Sequence, residues 1–452
     1  MGRLFGTDGI RGQANRYPMT AEMAVAAGRA MAVFFKKPDK SGPVTVVIGK
    51  DTRQSGDMLE SGLCAGLCAM EADVYLAGVF PTPGIAYLTV SMGADAGIVV
   101  SASHNPFMDN GIKIFNREGH KLSVPQEAEI ETLILSCRES SASPGQPACG
   151  RIHRLKDADI HYADFLKKSM AGEGALPPFP DGIKLVIDCA NGAVGGIAKR
   201  IFTRAVILSA APDGMNINNG CGSEHPDNLC RQVIEQRAAA GFAFDGDGDR
   251  VVAVDENGHI LSGDRILAIC AGYLKENGRL RNNTVVSTVM SNIGLTRALR
   301  QMDIAHVTTD VGDRHVLETM LSRGSALGGE DSGHIILSDH QTTGDGLLTA
   351  LMICHIMAGT HKPLSVLAST MTVCPQELVN VPVREKPDLR TIKDVRKTIA
   401  AVEASLGESG RVLVRYSGTQ PLCRVMAEAA TAEEARRAVI DIAEAIRRHI
   451  GD

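Results

Sequence analysis

The stretch Gly97-Ile98-Val99-Val100-Ser101-Ala102-Ser103-His104-Asn105-Pro106 joins an apolar run to a short polar loop. Three consecutive β-branched residues after a glycine predict a buried strand of a parallel sheet, and Asn105-Pro106 predicts the turn that leaves it. A serine at the carboxyl end of such a strand lies where open α/β sheets bind their ligands. With His104 beside it and Lys113 further along, Ser103 therefore suits phosphate or acyl chemistry. A turn without a function is the other interpretation, because turns are rich in these residue types.

Composition narrows the class of protein. The chain has 452 residues, of which 44% are apolar and 22% charged, and its net charge is −5. This length predicts three or four domains, and nothing in the charge balance predicts a nucleic-acid partner. No apolar stretch reaches the roughly 18 residues of a membrane span, and the first residues lack the apolar core of a signal peptide. The eleven cysteines contain no Cys-x-x-Cys pair, which favours reduced, buried thiols in a cytoplasmic protein.

Strand and helix patterns alternate along the first part of the chain, which predicts a mostly parallel sheet. Thr20 is predicted to cap a helix that runs to Phe35. The glycines of Phe5–Gly12 predict a tight loop from which Arg11 projects. A small, polar, proline-containing segment at 139–150 predicts the approach to a domain boundary.

A second glycine-rich loop, residues 189–196, follows a predicted strand at 185–188 and opens a helix. It could hold a phosphate, but it lacks the lysine and the spacing of a P-loop, so close packing of strand and helix is the favoured interpretation. A third α/β unit is predicted from about Gly258, and Pro177–Pro180 predicts a break within the unit before it. The last unit is smaller and of α+β type, with a final amphipathic helix from Ala432.

Asp245, Asp247 and Asp249 alternate with glycines after Phe242-Ala243-Phe244. This alternation lets three carboxylates converge on one hard cation, and Mg²⁺ fits because it keeps room for a phosphate oxygen. An EF-hand is disfavoured, because Arg250 stands where its loop needs glycine. A solvated acidic turn is also disfavoured, because bare carboxylates this close repel each other.

Two further loops carry polar groups for a sugar phosphate. Gly329-Glu330-Asp331-Ser332-Gly333-His334 can exchange hydrogen bonds with sugar hydroxyls, although a structural turn explains it equally well. Arg415-Tyr416-Ser417-Gly418-Thr419-Gln420-Pro421 offers a guanidinium, hydroxyls and a glycine-loosened backbone, which together suit a phosphate, and Arg424 adds a second cation. A surface turn is the alternative for this stretch.

Taken in order, four motifs resemble the α-D-phosphohexomutase superfamily over essentially the whole chain. They are Ser-Ala-Ser-His-Asn-Pro with Asp109–Lys113, Asp-Gly-Asp-Gly-Asp-Arg, Gly-Glu-x-Ser-Gly-His and Arg-x-Ser-Gly-Thr. Other stretches are similar to the branch that acts on glucosamine phosphate: Phe5–Gly12, Asn218–Ser223 with His225-Pro226, Thr288–Asn292, Val311–Arg314 and Thr342–Gly346.

The resemblance implies a fold of three successive mixed or parallel α/β domains and a smaller C-terminal α+β domain around a central cleft. We place these domains at 1–155, 156–257, 258–372 and 373–452. It also implies an isomerase that interconverts glucosamine 6-phosphate and glucosamine 1-phosphate through a phosphoserine and a 1,6-bisphosphate, toward UDP-N-acetylglucosamine. The expected cofactors are one Mg²⁺ per chain and glucosamine or glucose 1,6-bisphosphate as activator. The expected partner is a sugar phosphate, and a homodimer is compatible with the family.

Site residues follow from the same resemblance. Ser103 would carry the phosphoryl group and, with the three aspartates, bind Mg²⁺. The residues expected to line the transfer site are Arg11, His104, Lys113 and Arg250, with Lys113 or His104 as acid/base. Those expected to bind sugar hydroxyls are Glu330, Ser332 and His334. Those expected to hold the non-reacting phosphate are Arg415, Ser417, Gly418, Thr419 and Arg424.

Two residues depart from the family pattern: Asp331 stands where the family usually has Gln, and Gln420 where it usually has Glu. We expect activity to survive the change at Gln420, which leaves the other phosphate donors intact. Asp331 could attract the ammonium of glucosamine, but a side chain facing away from the sugar is favoured, because successive residues of an extended segment face opposite ways. A phosphomannomutase/phosphoglucomutase is the nearest alternative function, and a catalytically silent sugar-phosphate sensor is an alternative of another class.

Overall fold

The computed structural model describes residues 4–6, 8–36, 42–139, 148–171, 183–417 and 420–452. The predicted break at Pro177–Pro180 and most of the predicted boundary segment lie outside the described residues. The chain divides into two compact units. The first comprises Met1–Met290 with Ile304–Thr370, and the second comprises Ser291–Asp303 with Met371–Asp452.

The elements of the described chain are as follows. The strands are β1 (Phe5–Gly6), β2 (Gly9–Gln13), β3 (Thr45–Lys50), β4 (Asp73–Val79), β5 (Ala96–Val100), β6 (Asp109–Asn116), β7 (Ile152–Arg154), β8 (Leu185–Asp188), β9 (Val206–Leu208), β10 (Ala240–Phe244), β11 (Val251–Asp255), β12 (Ile260–Leu261), β13 (Thr284–Thr288), β14 (Ala305–Thr309), β15 (Leu327–Gly329), β16 (Ile335–Leu337), β17 (Gln376–Pro382), β18 (Arg411–Tyr416) and β19 (Leu422–Glu428). The α-helices are α1 (Ala21–Phe35), α2 (Gly56–Cys68), α3 (Thr82–Ser91), α4 (Val124–Glu139), α5 (Ala158–Ala171), α6 (Gly195–Ile201), α7 (Asp227–Glu235), α8 (Gly263–Glu276), α9 (Ile293–Gln301), α10 (Asp313–Arg323), α11 (Gly346–Thr360), α12 (Leu364–Ala368), α13 (Lys393–Leu406) and α14 (Ala432–Ile450).

The first sheet of the first unit has the order β1-β2-β6-β5-β3-β4-β7. β5 is fully buried and pairs in parallel with β3, as predicted, but it pairs antiparallel with β6. The sheet is therefore mixed rather than mostly parallel. Phe5–Gly12 is largely an antiparallel hairpin and not the predicted loop, because Phe5 and Ile10 pair across it and both side chains are buried.

Two smaller sheets complete the first unit, with orders β12-β11-β10-β8-β9 and β14-β13-β15-β16. β8 and β10 are parallel neighbours, so the loops that follow them leave the same edge of the sheet. β10 is completely buried, which explains its apolar sequence. This edge carries the acidic loop Asp245–Arg250.

The second unit contains an antiparallel sheet of order β17-β19-β18. Its core is formed mainly by valines and alanines of the sheet and by the predicted apolar stripe of α14, including Val439, Ile442 and Ile446. Thr431 and Glu434 form a capping box that begins α14. β17 lies within the predicted last domain, 373–452, but the sequence analysis did not identify it as a strand.

Within the described residues, none of the helices is both long and apolar enough to cross a membrane. All eleven cysteines are free thiols and seven of them are buried, as expected.

Candidate active site

Ser103 lies immediately beyond β5 in a backbone conformation that side chains seldom adopt. Its φ is +55°, in the left-handed region, and its side chain is buried. The Ser103 amide donates to the hydroxyl of Ser101 at 2.9 Å. Strained backbone of this kind persists only where its surroundings hold it, and it is concentrated at functional sites.

Two side chains from other parts of the unit hold this loop by its carbonyl groups. Asn218 Nδ2 donates to the carbonyl oxygens of Ser103 at 2.9 Å and of Asn105 at 3.0 Å. Arg53 Nη2 donates to the same two oxygens. Arg53 is itself buried and paired with the carboxylate of Asp51. The serine is therefore fixed by a rigid support, which the sequence analysis did not identify.

The three aspartates of the acidic loop converge, as predicted. Asp245, Asp247 and Asp249 are all buried, and each offers an oxygen within 4.8 Å of the others. The Ser103 hydroxyl donates to Asp245 Oδ2, so the serine lies at the edge of the cluster. Burial raises the pKa of Asp245 well above its usual value, and the carboxylates of Asp249 and Asp247 add to the effect.

The oxygen atoms of the cluster fit a bound cation. Asp247 Oδ2 accepts from Lys113 Nζ at 2.8 Å and Asp249 Oδ2 accepts from it at 3.0 Å. The Oδ1 atoms of Asp247 and Asp249 are buried without a hydrogen-bond partner among the described residues. A buried carboxylate oxygen without a partner is costly, and a hard divalent cation is the group that oxygen ligands of this type hold.

Lys113 is surrounded by carboxylates. Besides Asp247 and Asp249, its ammonium lies 3.1 Å from Asp8 Oδ2, so its three N–H donors face three acceptors. Burial alone would lower the pKa of Lys113, but the three carboxylates outweigh burial and hold that pKa well above its usual value. Lys113 therefore neutralises the acidic cluster as a permanent cation.

Five alternating charges extend from this lysine, and the imidazole of His334 closes them into a ring. In order around the ring its members are Asp249, Lys113, Asp8, Lys121, Asp313 and His334. Lys121 is paired closely with both Asp8 and Asp313, and His334 lies 3.8 Å from Asp249 and 3.7 Å from Asp313. These residues come from the segments around three different sheets, so the ring joins them behind the acidic loop.

His104, Arg250 and Arg11 also lie around the serine and the aspartates. His104 Nδ1 is 3.4 Å from Ser103 Oγ. Burial, with the nearby Arg250 guanidinium, lowers the pKa of His104. Arg250 Nε is 4.0 Å from Asp249, and Arg11 is paired with Asp8. The structure thus brings together the four residues predicted to line the transfer site, which are Arg11, His104, Lys113 and Arg250.

The loop Glu330–His334 joins β15 to β16 and docks beside the acidic loop. The Val251 amide, at the start of β11, donates to the carbonyl of Gly333 at 3.1 Å. Gly333 has a φ of +92°, and a Cβ there would lie 2.1 Å from the Val251 carbonyl oxygen, so only glycine fits. Glu330 is half-buried and accepts from the Gly312 amide, while Asp331 and Ser332 are exposed.

His334, predicted to bind a sugar hydroxyl, lies between the acidic loop and Gly344. Its side chain is buried, Nε2 accepts from the Gly344 amide at 3.1 Å, and Nδ1 faces Asp249. The 3.8 Å between Nδ1 and Asp249 Oδ1 is longer than a hydrogen bond, so the predicted role of His334 toward a sugar hydroxyl stays a prediction.

Arg415, Ser417 and Arg424 belong to the second unit. Arg415 and Arg424 are directly opposite each other on β18 and β19, so two cations share one face of the sheet. Like charges in this arrangement destabilise a sheet, and a bound anion offsets the repulsion. Arg424 Nε is buried and has no hydrogen-bond partner among the described residues. Gly418 and Thr419 lie outside the described residues.

The glycine-rich loop at 189–196 is a packing element rather than a phosphate site. Its amides already donate within the protein: Ala190 to Asp188, Asn191 to Ser209, Gly192 to Cys189 and Ala193 to Gly246. A Cβ on Gly192 would lie 2.3 Å from the carbonyl oxygen of Gly246. The favoured sequence interpretation is confirmed, and the loop packs against the acidic loop.

Four family models match the chain in sequence. They describe phosphoglucomutase/phosphomannomutase alpha/beta/alpha domain I (residues 2–140), domain II (162–258), domain III (262–374) and the C-terminal domain (378–445). The chain belongs to this family, and is thus an enzyme of the intramolecular phosphotransferase type.

Within the family, the chain is similar to phosphoglucosamine mutases over its whole length. It is 51% identical to that of Syntrophus aciditrophicus and 49% identical to that of Geobacillus thermodenitrificans, with 100% of each chain covered. The identification of the superfamily from four motifs is confirmed, as is its glucosamine-phosphate branch.

Solved structures share the fold. A phosphoglucomutase/phosphomannomutase family protein from Burkholderia thailandensis matches with a TM-score of 0.79 and 25% identity, covering 99% of both chains. An Aspergillus fumigatus N-acetylphosphoglucosamine mutase, solved with GlcNAc-6P and magnesium, matches with a TM-score of 0.66 and 19% identity, covering 98% of this chain and 95% of that one.

Proposed function

We propose that this protein interconverts glucosamine 6-phosphate and glucosamine 1-phosphate, with Ser103 as the residue that carries the phosphoryl group between the two positions. The observation that carries the proposal is the Ser103 hydroxyl held against Asp245 at the edge of a buried three-aspartate cluster. The similarity to phosphoglucosamine mutases over the whole chain supports glucosamine phosphate as the substrate.

In the proposed reaction, phosphorylated Ser103 loses its phosphoryl group to the free hydroxyl of a hexosamine monophosphate. The serine P–O bond breaks, a new P–O bond forms to the sugar oxygen, and the proton of that hydroxyl is taken up by the enzyme. The resulting 1,6-bisphosphate reorients within the site and returns its other phosphoryl group to Ser103. Each turnover thus regenerates the phosphoenzyme, and a bisphosphosugar can load it.

His104 is the better candidate for moving the proton. Its Nδ1 faces Ser103 Oγ at 3.4 Å, whereas the three N–H groups of Lys113 are all directed at carboxylates. Lys113 has no lone pair to accept a proton in that arrangement. We assign Lys113, together with Arg11 and Arg250, to binding and charge neutralisation around the transferred phosphoryl group.

Asp245, Asp247, Asp249 and an oxygen of phosphoserine would hold Mg²⁺, which fits the two buried oxygens that lack partners. When bound, the ion would neutralise charge on the transferring phosphoryl group. The relative solved with GlcNAc-6P and magnesium supports this ion.

Glu330 and Ser332 are the proposed sugar-hydroxyl ligands, because Glu330 is half-buried and Ser332 exposed on a loop docked beside the aspartates. The proposed ligands of the phosphate that does not react are Arg415, Ser417, Gly418, Thr419 and Arg424.

We keep the domain boundaries, the cytoplasmic location and the homodimer as predictions.

Phosphorus NMR with Mg²⁺ and a trace of 1,6-bisphosphosugar tests the proposal against the 6-phosphates of glucosamine, glucose and mannose. We expect the glucosamine ester to be converted fastest. Faster conversion of glucose or mannose phosphate would keep the mechanism and overturn the substrate. If the protein is folded and mass spectrometry shows phosphate on Ser103 but no ester is converted, the proposal fails. A Ser103→Ala variant with full activity would overturn the assigned serine.

A further inference from the structure

A buried threonine at the first position of α3 contacts one of the three aspartates twice. Thr82 Oγ1 donates to Asp247 Oδ2 at 2.5 Å, and the Thr82 amide donates to the Asp247 backbone carbonyl at 2.9 Å. Thr82 is completely buried. It belongs to Pro81-Thr82-Pro83, a stretch whose residue types are typical of a turn. The two bonds reach across more than 160 positions of sequence, from the first sheet's segment to the acidic loop.

The two oxygens of Asp247 have different surroundings because of this contact. Oδ2 accepts from both Thr82 and the Lys113 ammonium, the latter at 2.8 Å. Oδ1 is buried and has no hydrogen-bond partner among the described residues. Rotating the carboxylate would break both bonds to Oδ2. One oxygen is therefore held by the protein, and the other is left free to face the cluster.

This asymmetry has a consequence for which cation the site prefers. Mg²⁺ requires near-ideal octahedral geometry and takes carboxylates through single oxygens, whereas Ca²⁺ accepts both oxygens of one carboxylate in a looser shell. A carboxylate whose second oxygen is already engaged can offer only one. Holding Oδ2 therefore favours the smaller ion.

We propose that Thr82 is a positioning residue of the metal site, which acts through Asp247 to present a single oxygen and thereby selects Mg²⁺ over Ca²⁺. This inference rests on the proposed function only in taking the three aspartates as the metal ligands. In this proposal Thr82 acts only through Asp247.

The same helix provides a matched control. Thr89 is also completely buried, and its hydroxyl donates to the helix carbonyl of Ile85 at 2.7 Å, away from the aspartates. Thr82→Val and Thr89→Val make the same chemical change in one helix. Thr82→Ser keeps the hydroxyl, and Thr82→Ala removes it with the least steric demand.

The test is calorimetric titration of the full chain with Mg²⁺ and, separately, with Ca²⁺, after circular dichroism has established folding. We expect Thr82→Val to weaken Mg²⁺ binding by about 10- to 100-fold, the usual effect of losing a group that orients a metal ligand. Ca²⁺ binding should weaken less, so the ratio of the Mg²⁺ affinity to the Ca²⁺ affinity should fall. Thr82→Ser and Thr89→Val should behave like the unmodified protein. If Thr82→Val does not fold, Thr82→Ala is titrated in its place.

Equal Mg²⁺ affinities of Thr82→Val and the unmodified protein would overturn the inference, as would an equal loss in Thr89→Val. A parallel loss of Mg²⁺ and Ca²⁺ affinity would overturn the selectivity. Titration and the mutase assay separate the two proposals. Mg²⁺ binding that depends on Thr82, without mutase activity, would support the inference and overturn the proposed function. Mutase activity with Mg²⁺ binding that does not depend on Thr82 would support the proposed function and overturn the inference.

Discussion

Two glycine-rich loops leave the same edge of one sheet, after the neighbouring parallel strands β8 and β10, yet they have opposite characters. At the end of β8, where the first loop begins, both oxygens of Asp188 accept hydrogen bonds from backbone amides, those of Ala190 and Gly222. In the loop after β10, Asp247 and Asp249 each keep a buried oxygen without a partner among the described residues. Glycine spacing alone does not separate a packing loop from a ligand loop. What distinguishes the two loops is whether their polar atoms already have hydrogen-bond partners within the protein.

The largest expected effect comes from neutralising a carboxylate in each loop. Asp245→Asn should reduce mutase activity by about 10³-fold or more, since it removes a proposed metal ligand. In chelator its melting temperature should not fall, because burial and the neighbouring carboxylates oppose the Asp245 charge. Steady-state kinetics and calorimetry measure both quantities.

Asp188→Asn is the counterpart at the start of the packing loop. Its amide N–H₂ would face one of the two backbone donors that now meet carboxylate oxygens, at a cost of about 1–3 kcal/mol in stability. A lower melting temperature for Asp245→Asn than for Asp188→Asn would reverse the comparison.

Adding a methyl group to a glycine of the packing loop should have the next largest effect. In Gly192→Ala the new Cβ would lie 2.3 Å from the Gly246 carbonyl oxygen, so the acidic loop must shift, and we expect a loss of about 1–3 kcal/mol and weaker Mg²⁺ binding. Gly196→Ala is the control, because Gly196 is inside α6 and its Cβ would meet no atom within 4 Å apart from its chain neighbours and the backbone of its own helix. That change should be neutral or stabilising by up to about 1 kcal/mol. Equal melting temperatures of the two variants would show that the loops do not pack as described.

A pH dependence should arise where α11 begins behind the acidic loop. Burial raises the pKa of Asp345 to about 6 from 3.8, and the adjacent Gly346 amide donates to Gly248. The folded state therefore binds this proton more tightly than the unfolded state, and stability is lost as pH rises from about 4 to 6. Asp345→Asn, which still caps α11, should abolish up to about 2–3 kcal/mol of that loss.

Thermal unfolding of both proteins between pH 4 and 7 measures this effect. The unmodified protein should become less stable relative to Asp345→Asn as the pH rises. Parallel profiles of stability against pH for the two proteins would contradict the raised pKa of the buried Asp345 carboxyl.

The smallest effect is expected for a solvated carboxylate. Asp331 is exposed, in contrast to the three aspartates, and its neighbour Glu330 is the half-buried one. Asp331→Gln should change the preference for glucosamine over glucose phosphate by less than about twofold, because exposed charges are screened. Relative kcat/KM values for the two substrates measure it. A loss of preference beyond that range would make Asp331 a specificity residue.

Local patterns predicted the elements that they encode directly. Thr20 accepts from the Met23 amide as the predicted cap of α1, and the alternating aspartates converge as predicted. β6 was missed because Asp109-Asn110-Gly111 is typical of a turn, and only its pairing with β5 and β2 makes it a strand. The family resemblance supplied the site residues that carry motifs.

The residues that hold the site could not be predicted in the same way. Arg53, Asn218 and Thr82 act through contacts with positions far away in the chain, and no local spacing encodes a contact of that range. His334 shows what a motif does convey: the motif places this residue beside the site, 3.8 Å from Asp249, but it does not encode the burial of the side chain.

The ring of alternating charges has a consequence for how the first unit folds. Asp8, Lys113 and Lys121 accompany the first sheet, Asp249 the second, and Asp313 the third, so no single sheet with its helices contains a balanced set. A fragment with one sheet would bury or expose charges whose partners are missing, and removing one partner of a buried pair costs several kcal/mol. The segments around the three sheets should accordingly unfold together in one cooperative step. Fragments cut between these segments should fold poorly on their own.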